Sequence, residues 1–200
     1  MIIKSAEFIT SAVKPSQYAP SQGPEIAFAG RSNVGKSSLI NTLVNRRRLV
    51  KTSATPGRTQ LINFFWVNDT LSLVDLPGYG YARVPVAVKR QWGPMVETYL
   101  SQRRALKGVT LIMDIRRQPG AEEFQLRDWL SRYQIPDLLV LTKCDKLSKN
   151  KQQIRRRAVA QGFGVSSEDL ILFSAKTRLG REAVWQAINR LIGETPLICR

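Results

Sequence analysis

Residues 30–38, Gly-Arg-Ser-Asn-Val-Gly-Lys-Ser-Ser, restrict the fold more than any other stretch. They fit G-x-x-x-x-G-K-[ST], with Gly30, Gly35, Lys36 and Ser37 in the defined places. Before them runs Ile26-Ala27-Phe28-Ala29, apolar like a buried strand; after them comes Leu39-Ile40-Asn41-Thr42-Leu43, apolar at helical spacing. Strand, glycine loop and helix in that order make a phosphate cradle. The loop backbone (Gly30, Arg31, Ser32, Asn33, Val34, Gly35, Lys36, Ser37, Ser38) turns its N–H groups inward at a helix N-terminus, where the dipole favours anions. Lys36 is placed to reach β- and γ-phosphates, and the Ser37 hydroxyl to ligate Mg²⁺.

Two hundred residues with 43% hydrophobic content suggest one domain with a proper core. We expect an N-terminal arm over 1–23 and a single domain over 24–200. No apolar run approaches a membrane span, and Lys4 and Glu7 interrupt the apolar start, so no signal peptide is expected. Cys144 and Cys199 are too few for a disulfide framework or a zinc site, which points to a reducing cytosol.

The formal charge of +16 is placed unevenly. No acid occurs from Ile26 to Asn68, where Arg46, Arg47, Arg48 and Lys51 cluster. None occurs from Lys146 to Ser167, which holds Lys149, Lys151, Arg155, Arg156 and Arg157. One nucleotide needs two or three cations, so the excess points to a polyanion, above all nucleic acid; the bland alternative is a solvated surface. The chain has no histidine, which removes Ser-His-Asp and Cys-His schemes and His-ligated metals. Chemistry by positioning, cations and water remains, which suits phosphoryl transfer.

Along the chain, Glu7–Thr10 reads as a short strand in the arm. The stretch 46–60 has no periodicity and contains Pro56-Gly57; its place after the phosphate loop suggests a nucleotide-sensing switch. There Thr59 is the candidate ligand for Mg²⁺ and the γ-phosphate, flanked by Gly57, Arg58, Gln60 and Leu61 as nucleotide contacts. Strands are expected at Leu61–Val67 and Leu71–Val74, joined by a short turn and therefore antiparallel. The second ends in Asp75-Leu76-Pro77-Gly78, where Asp75 would meet Mg²⁺ through water and the Gly78 N–H would face a γ-phosphate. Further helices are expected over Val86–Leu100, Ala121–Tyr133, Ser148–Gln161 and Gly180–Ile192, and strands over Leu106–Asp114, Leu138–Leu141 and Leu170–Phe173.

The strand at Leu138–Leu141 delivers Thr142-Lys143-Cys144-Asp145. A carboxylate here accepts from N1–H and the exocyclic amine of guanine; adenine has no donor at either position and would leave it unpaired. The Lys143 stem can lie across the loop and the base, and Cys144 should face away. The last strand, whose Phe173 is a candidate nucleotide contact, ends in Ser174-Ala175-Lys176, a tripeptide that can offer backbone N–H to the guanine O6.

Taken in order, the phosphate loop, Thr59, Asp75–Gly78, Thr142–Asp145 and Ser174–Lys176 look like the GTPase series. With Thr-Pro-Gly-Arg-Thr-Gln at 55–60 and Asp-Leu-Pro-Gly-Tyr-Gly-Tyr-Ala at 75–82, the chain resembles the bacterial EngB family over about 170 residues. The resemblance implies a cytoplasmic GTP-binding protein needed for assembly of the large ribosomal subunit, with a role in cell division and septation. Two departures from Ras-like GTPases stand out. Tyr79 occupies the place of the catalytic Gln, and Thr142 that of the usual Asn. With no Arg identifiable as a finger in cis, hydrolysis by the isolated protein should be slow. In related GTPases without the Gln, an Asn at the place of Asn33 helps bind K⁺; the alternative is that Asn33 only shapes its loop.

The expected fold is a three-layer α/β P-loop GTPase domain with a mostly parallel sheet of six strands, the Phe64 strand antiparallel. The expected activity is slow, Mg²⁺-dependent GTP hydrolysis in a switch, with Lys36, Thr59, Gly78 and Asn33 as catalytic candidates and Ser37, Thr59 and Asp75 at the metal. A membrane- or septum-associated structural GTPase and a P-loop kinase or ATPase are the rivals. Nothing in the sequence marks a dimer face, so a monomer is expected.

Overall fold

The small side chains of residues 27 and 29 and the large ones of 26 and 28 alternate along a strand, and that alternation builds two cores at once. The structure, a computed structural model, describes residues 1–46, 48–50, 61–79 and 86–193, without the side chains of 86–92. Its strands are β1 (Ala6–Ala12), β2 (Glu25–Gly30), β3 (Ile62–Val67), β4 (Leu71–Asp75), β5 (Leu106–Asp114), β6 (Asp137–Thr142) and β7 (Leu170–Leu172). The helices are α1 (Lys36–Leu43), α2 (Val86–Gln102), α3 (Ala121–Arg132), α4 (Lys149–Phe163) and α5 (Arg181–Leu191).

The strands form one sheet in the order β1-β3-β4-β2-β5-β6-β7. From β4 to β7 the pairs are parallel, while β3 runs antiparallel to both β4 and β1. The expected antiparallel strand through Phe64 is therefore present, but the sheet has seven strands rather than six. The seventh is the arm: β1 pairs along β3 with a bulge at Ile9. Asn68, in the β3–β4 turn, fastens it by accepting from Lys4 N at 2.7 Å and donating to Ile2 O at 2.7 Å.

Ile26 and Phe28 face α1 and α5, packing with Leu39, Ile40, Leu43, Val184, Trp185 and Ile188. Ala27 and Ala29 face α2 and α3, packing with Tyr99, Leu100 and Leu130. On that same side Leu111, Met113, Leu139 and Leu141 meet Val159 and Ala160 of α4. Each large side chain so buried contributes about 1.5–3 kcal/mol. The three layers hold the strands so that Gly30, Asp75, Asp114 and Thr142 all lie at carboxyl ends, around β2, where the strand order reverses. Ligands of open α/β sheets bind at that point.

Candidate functional site

Gly35 caps α1 with φ +109°, a left-handed value that only glycine takes without strain. The turn it permits brings Lys36 into the interior, where its Nζ pairs with Oδ1 of Asp75, the last residue of β4. Lys36 is 7% exposed and Asp75 fully buried. The second carboxylate oxygen, Asp75 Oδ2, is buried without a hydrogen-bond partner among the described residues. Among those residues no three His, Cys, Asp or Glu side chains gather to hold a metal. Among the described residues, the candidate ligands are one hydroxyl, Ser37, and one orphaned carboxylate oxygen, Asp75 Oδ2. Such a set suits a hard cation that keeps most of its waters and shares phosphate oxygens, as Mg²⁺ does.

The segment after β4 lies against the phosphate loop. Arg31 and Tyr79 form a parallel bridge, Ser32 N donates to Tyr79 O at 2.9 Å, and Tyr79 N donates to Gly30 O at 3.3 Å. A Cβ on Gly78 would stand 3.1–3.2 Å from Ser32, so Gly78 touches the loop directly. Leu76 is buried, and Pro77 joins it in lining a cleft between α2 and α3. Tyr79 points into the same cleft. Its hydroxyl is buried near the Glu123 carboxylate without a well-formed hydrogen bond among the described residues, and that burial, with Glu123 and Glu122 adding to it, pushes its pKa up. A neutral phenol turned into this cleft cannot take over the water-orienting work of a Gln.

At the end of β6, the Thr142 hydroxyl lies 2.6 Å from Val34 O and 3.0 Å from Met113 O, tying β6 to the phosphate loop and β5. Thr142 thus clamps the loop, although it is shorter than Asn. Lys143 adopts φ +60° and throws its stem across the loop, its Cε 3.8 Å from where a Cβ on Gly35 would sit. The Nζ donates to Asn33 O at 2.7 Å and pairs with Asp114 at 3.0 Å. Cys144 is buried and faces away as expected, its thiol pushed up to about 11, chiefly by burial. Asp145 Oδ1 accepts from the Ser174 hydroxyl at 2.7 Å, which fixes the carboxylate plane. Phe173 is buried beneath it, while Ala175 and Lys176 are exposed at the rim. This loop closes on Gly180, where a Cβ would fall 2.0 Å from Leu172 O. A cavity of about 460 Å³ opens between α1 and this loop, with Ser38, Asn41, Asn45, Arg46, Ala175 and Arg178 on its walls.

The structure therefore brings the loop 30–38, Asp75–Gly78, Thr142–Asp145 and Phe173–Lys176 to one end of the sheet. Gly57, Arg58, Thr59, Gln60, Arg47 and Lys51 lie outside the described residues. Leu61 is exposed just before β3. Asn33 has φ +63°, a left-handed value that Asn tolerates better than most residues, and its side chain is exposed. Of the basic stretches, Arg46, Arg48, Lys149, Lys151 and Arg157 are exposed, but Arg155 and Arg156 are half-buried. Arg155 donates to Ile115 O at 3.0 Å and Arg156 to Leu170 O at 2.9 Å. One buried acid at this end escaped the sequence reading: Asp114, at the end of β5. The available signal was an acid closing a buried strand beside the T-K-x-D strand.

Residues 25–143 match the family described as 50S ribosome-binding GTPase. A probable GTP-binding protein EngB of Geotalea daltonii is 59% identical over 192 residues, spanning 96% of this chain and 93% of its own length. The chain belongs to the EngB family. A second EngB, of Geobacter sulfurreducens, is 57% identical over 192 residues, again 96% of this chain and 93% of its own length. The solved structure of a probable GTP-binding protein EngB aligns with a TM-score of 0.70 at 26% identity, over 86% of this chain and all of that one. Era bound to nucleotides 1506–1542 of 16S ribosomal RNA and MgGDPNP aligns with a TM-score of 0.67 at 15% identity, over 90% of this chain and 60% of Era, and shares the fold. The EngB chain is thus a GTP-binding protein of P-loop GTPase fold. Among its described residues no helix is long and apolar enough to cross a membrane.

Proposed function

We propose that this EngB chain is a slow GTPase in the cytoplasm that serves as a nucleotide-controlled switch in assembly of the large ribosomal subunit. The observation that carries the guanine reading is Asp145, oriented by Ser174 beside a lysine laid across the phosphate loop. In this reading loop 30–38 wraps the phosphates with its N–H groups, and Lys36 exchanges the Asp75 carboxylate for phosphate oxygens. Ser37, Asp75 and Thr59 would hold Mg²⁺, which supplies charge neutralisation at the β- and γ-phosphates. Gly78, touching the phosphate loop, is placed to report a γ-phosphate to the segment that follows. With Tyr79 turned into the cleft between α2 and α3, these residues do little to stabilise the transition state, which supports slow turnover in isolation.

The family's description as 50S ribosome-binding supports the large subunit as partner, and the +16 charge supports contact through RNA. A part in division and septation is carried by the family resemblance. Sedimentation of ribosomal particles with GTP, GDP or neither is the test: tighter, salt-sensitive binding to large-subunit particles with GTP is expected. Equal binding in all three states removes the switch, and preference for anionic vesicles over particles favours the membrane rival. The same reactions compared in KCl and NaCl examine Asn33 as a K⁺ ligand; equal hydrolysis rates leave it as a loop-shaping residue.

A further inference from the structure

Asp114 ends β5 directly beside Thr142 of β6, so it stands one residue from the lysine of the guanine motif. It is 5% exposed and takes four contacts. Arg116 donates from its backbone N at 3.1 Å, from Nε at 2.9 Å and from Nη2 at 2.7 Å. The Lys143 Nζ meets Oδ2 at 3.0 Å and at the same time donates to Asn33 O at 2.7 Å. The lysine head is thus held between a carboxylate on the sheet and a carbonyl of the phosphate loop. Its backbone is in the left-handed region, φ +60°, so a surrounding contact must hold this geometry in place. A lysine stem has four rotatable bonds; without an anchor at its tip it is a poor floor for a planar base.

We propose that Asp114 is a positioning residue for guanine-nucleotide retention, acting through Lys143, which it pins across the phosphate loop. The proposal rests on the nucleotide site described above. The carboxylate touches neither phosphate nor base; it fixes the charged end of the stem that does. Arg116 has a different part. It is exposed and satisfies the remaining lone pairs of Asp114, so its loss leaves the Asp114–Lys143–Asn33 chain intact.

Release of a fluorescent GDP analogue from the full chain, followed by stopped flow, tests this. Asp114→Asn and Lys143→Met should each speed release about tenfold or more, and the double variant should be no faster than Lys143→Met alone. Arg116→Ala should stay within about twofold of the unaltered protein. A purely structural role for Asp114 would instead show additive effects, with Asp114→Asn speeding release further in the Lys143→Met background; that result overturns the proposal. Should Asp114→Asn fail to fold, the comparison of Lys143→Met with Arg116→Ala still decides, because equal acceleration by both would place the anchor on Arg116. If the unaltered protein does not retain the analogue, the nucleotide site falls and the proposal with it. If it does, and Asp114→Asn releases at the same rate, the proposal alone falls.

Discussion

In the proposed function, Asp145 concentrates the chemistry of base choice in one side chain. Its Oδ1 accepts from the Ser174 hydroxyl, which orients the carboxylate and leaves Oδ2 to meet a base in the proposed site. Asp145→Asn replaces an acceptor pair with one acceptor and one donor, and the donor then confronts the donors of guanine. GTP affinity should fall by about 2–4 kcal/mol, with ATP affinity unchanged, as titration calorimetry would measure. Unchanged GTP affinity would return the kinase reading to consideration. Lys143 and Asn33 show a different economy at this scale, since both residues spend a left-handed backbone conformation to set a main-chain group and a side chain in register. Their types were visible in the sequence; their φ values were not, because Lys carries no local mark of such a turn and Asn only a weak one, unlike glycine.

At the scale of elements, α4 separates charge that is free from charge that is used. Five basic residues between 149 and 157 read alike in a sequence, where only their sign is visible. In the fold, Arg155 and Arg156 hold the helix to the carbonyls of Ile115 and Leu170, at the ends of β5 and β7. Arg156→Ala should therefore lower stability by about 1–2 kcal/mol, seen in denaturant unfolding. Replacing Lys149, Lys151 and Arg157 together with Ala should leave stability nearly unchanged but weaken ribosomal RNA binding and reduce its salt slope by about 3. The regular helices and central strands were legible because their apolar periods are long and their ends are punctuated. β1 was legible only as a short strand, since the bulge at Ile9 breaks its alternation and its partner β3 lies some fifty residues away. Asp114 was illegible for a related reason: an acid at a strand end gains meaning only when the neighbouring strand is known.

Across the whole molecule, one end of the sheet collects every described site residue, and the strand order explains it. Chains leaving β2 on one side and β5 on the other part there, so the phosphate loop meets neighbours from β4, β5 and β6 within one crevice. The Lys36–Asp75 pair at its centre has a consequence for the order in which ligands can be held. It is a closed circuit of charge, with the cation and one anion buried together. A nucleotide that draws the lysine away strands the carboxylate as a lone buried anion, which is costly unless a second cation relieves it. Nucleotide and Mg²⁺ should therefore each raise the other's affinity by the same factor, as linkage requires. Titrations of GDP with Mg²⁺ and with EDTA should differ in the unaltered protein, and this difference should shrink in Asp75→Asn, where drawing the lysine away leaves no bare charge behind.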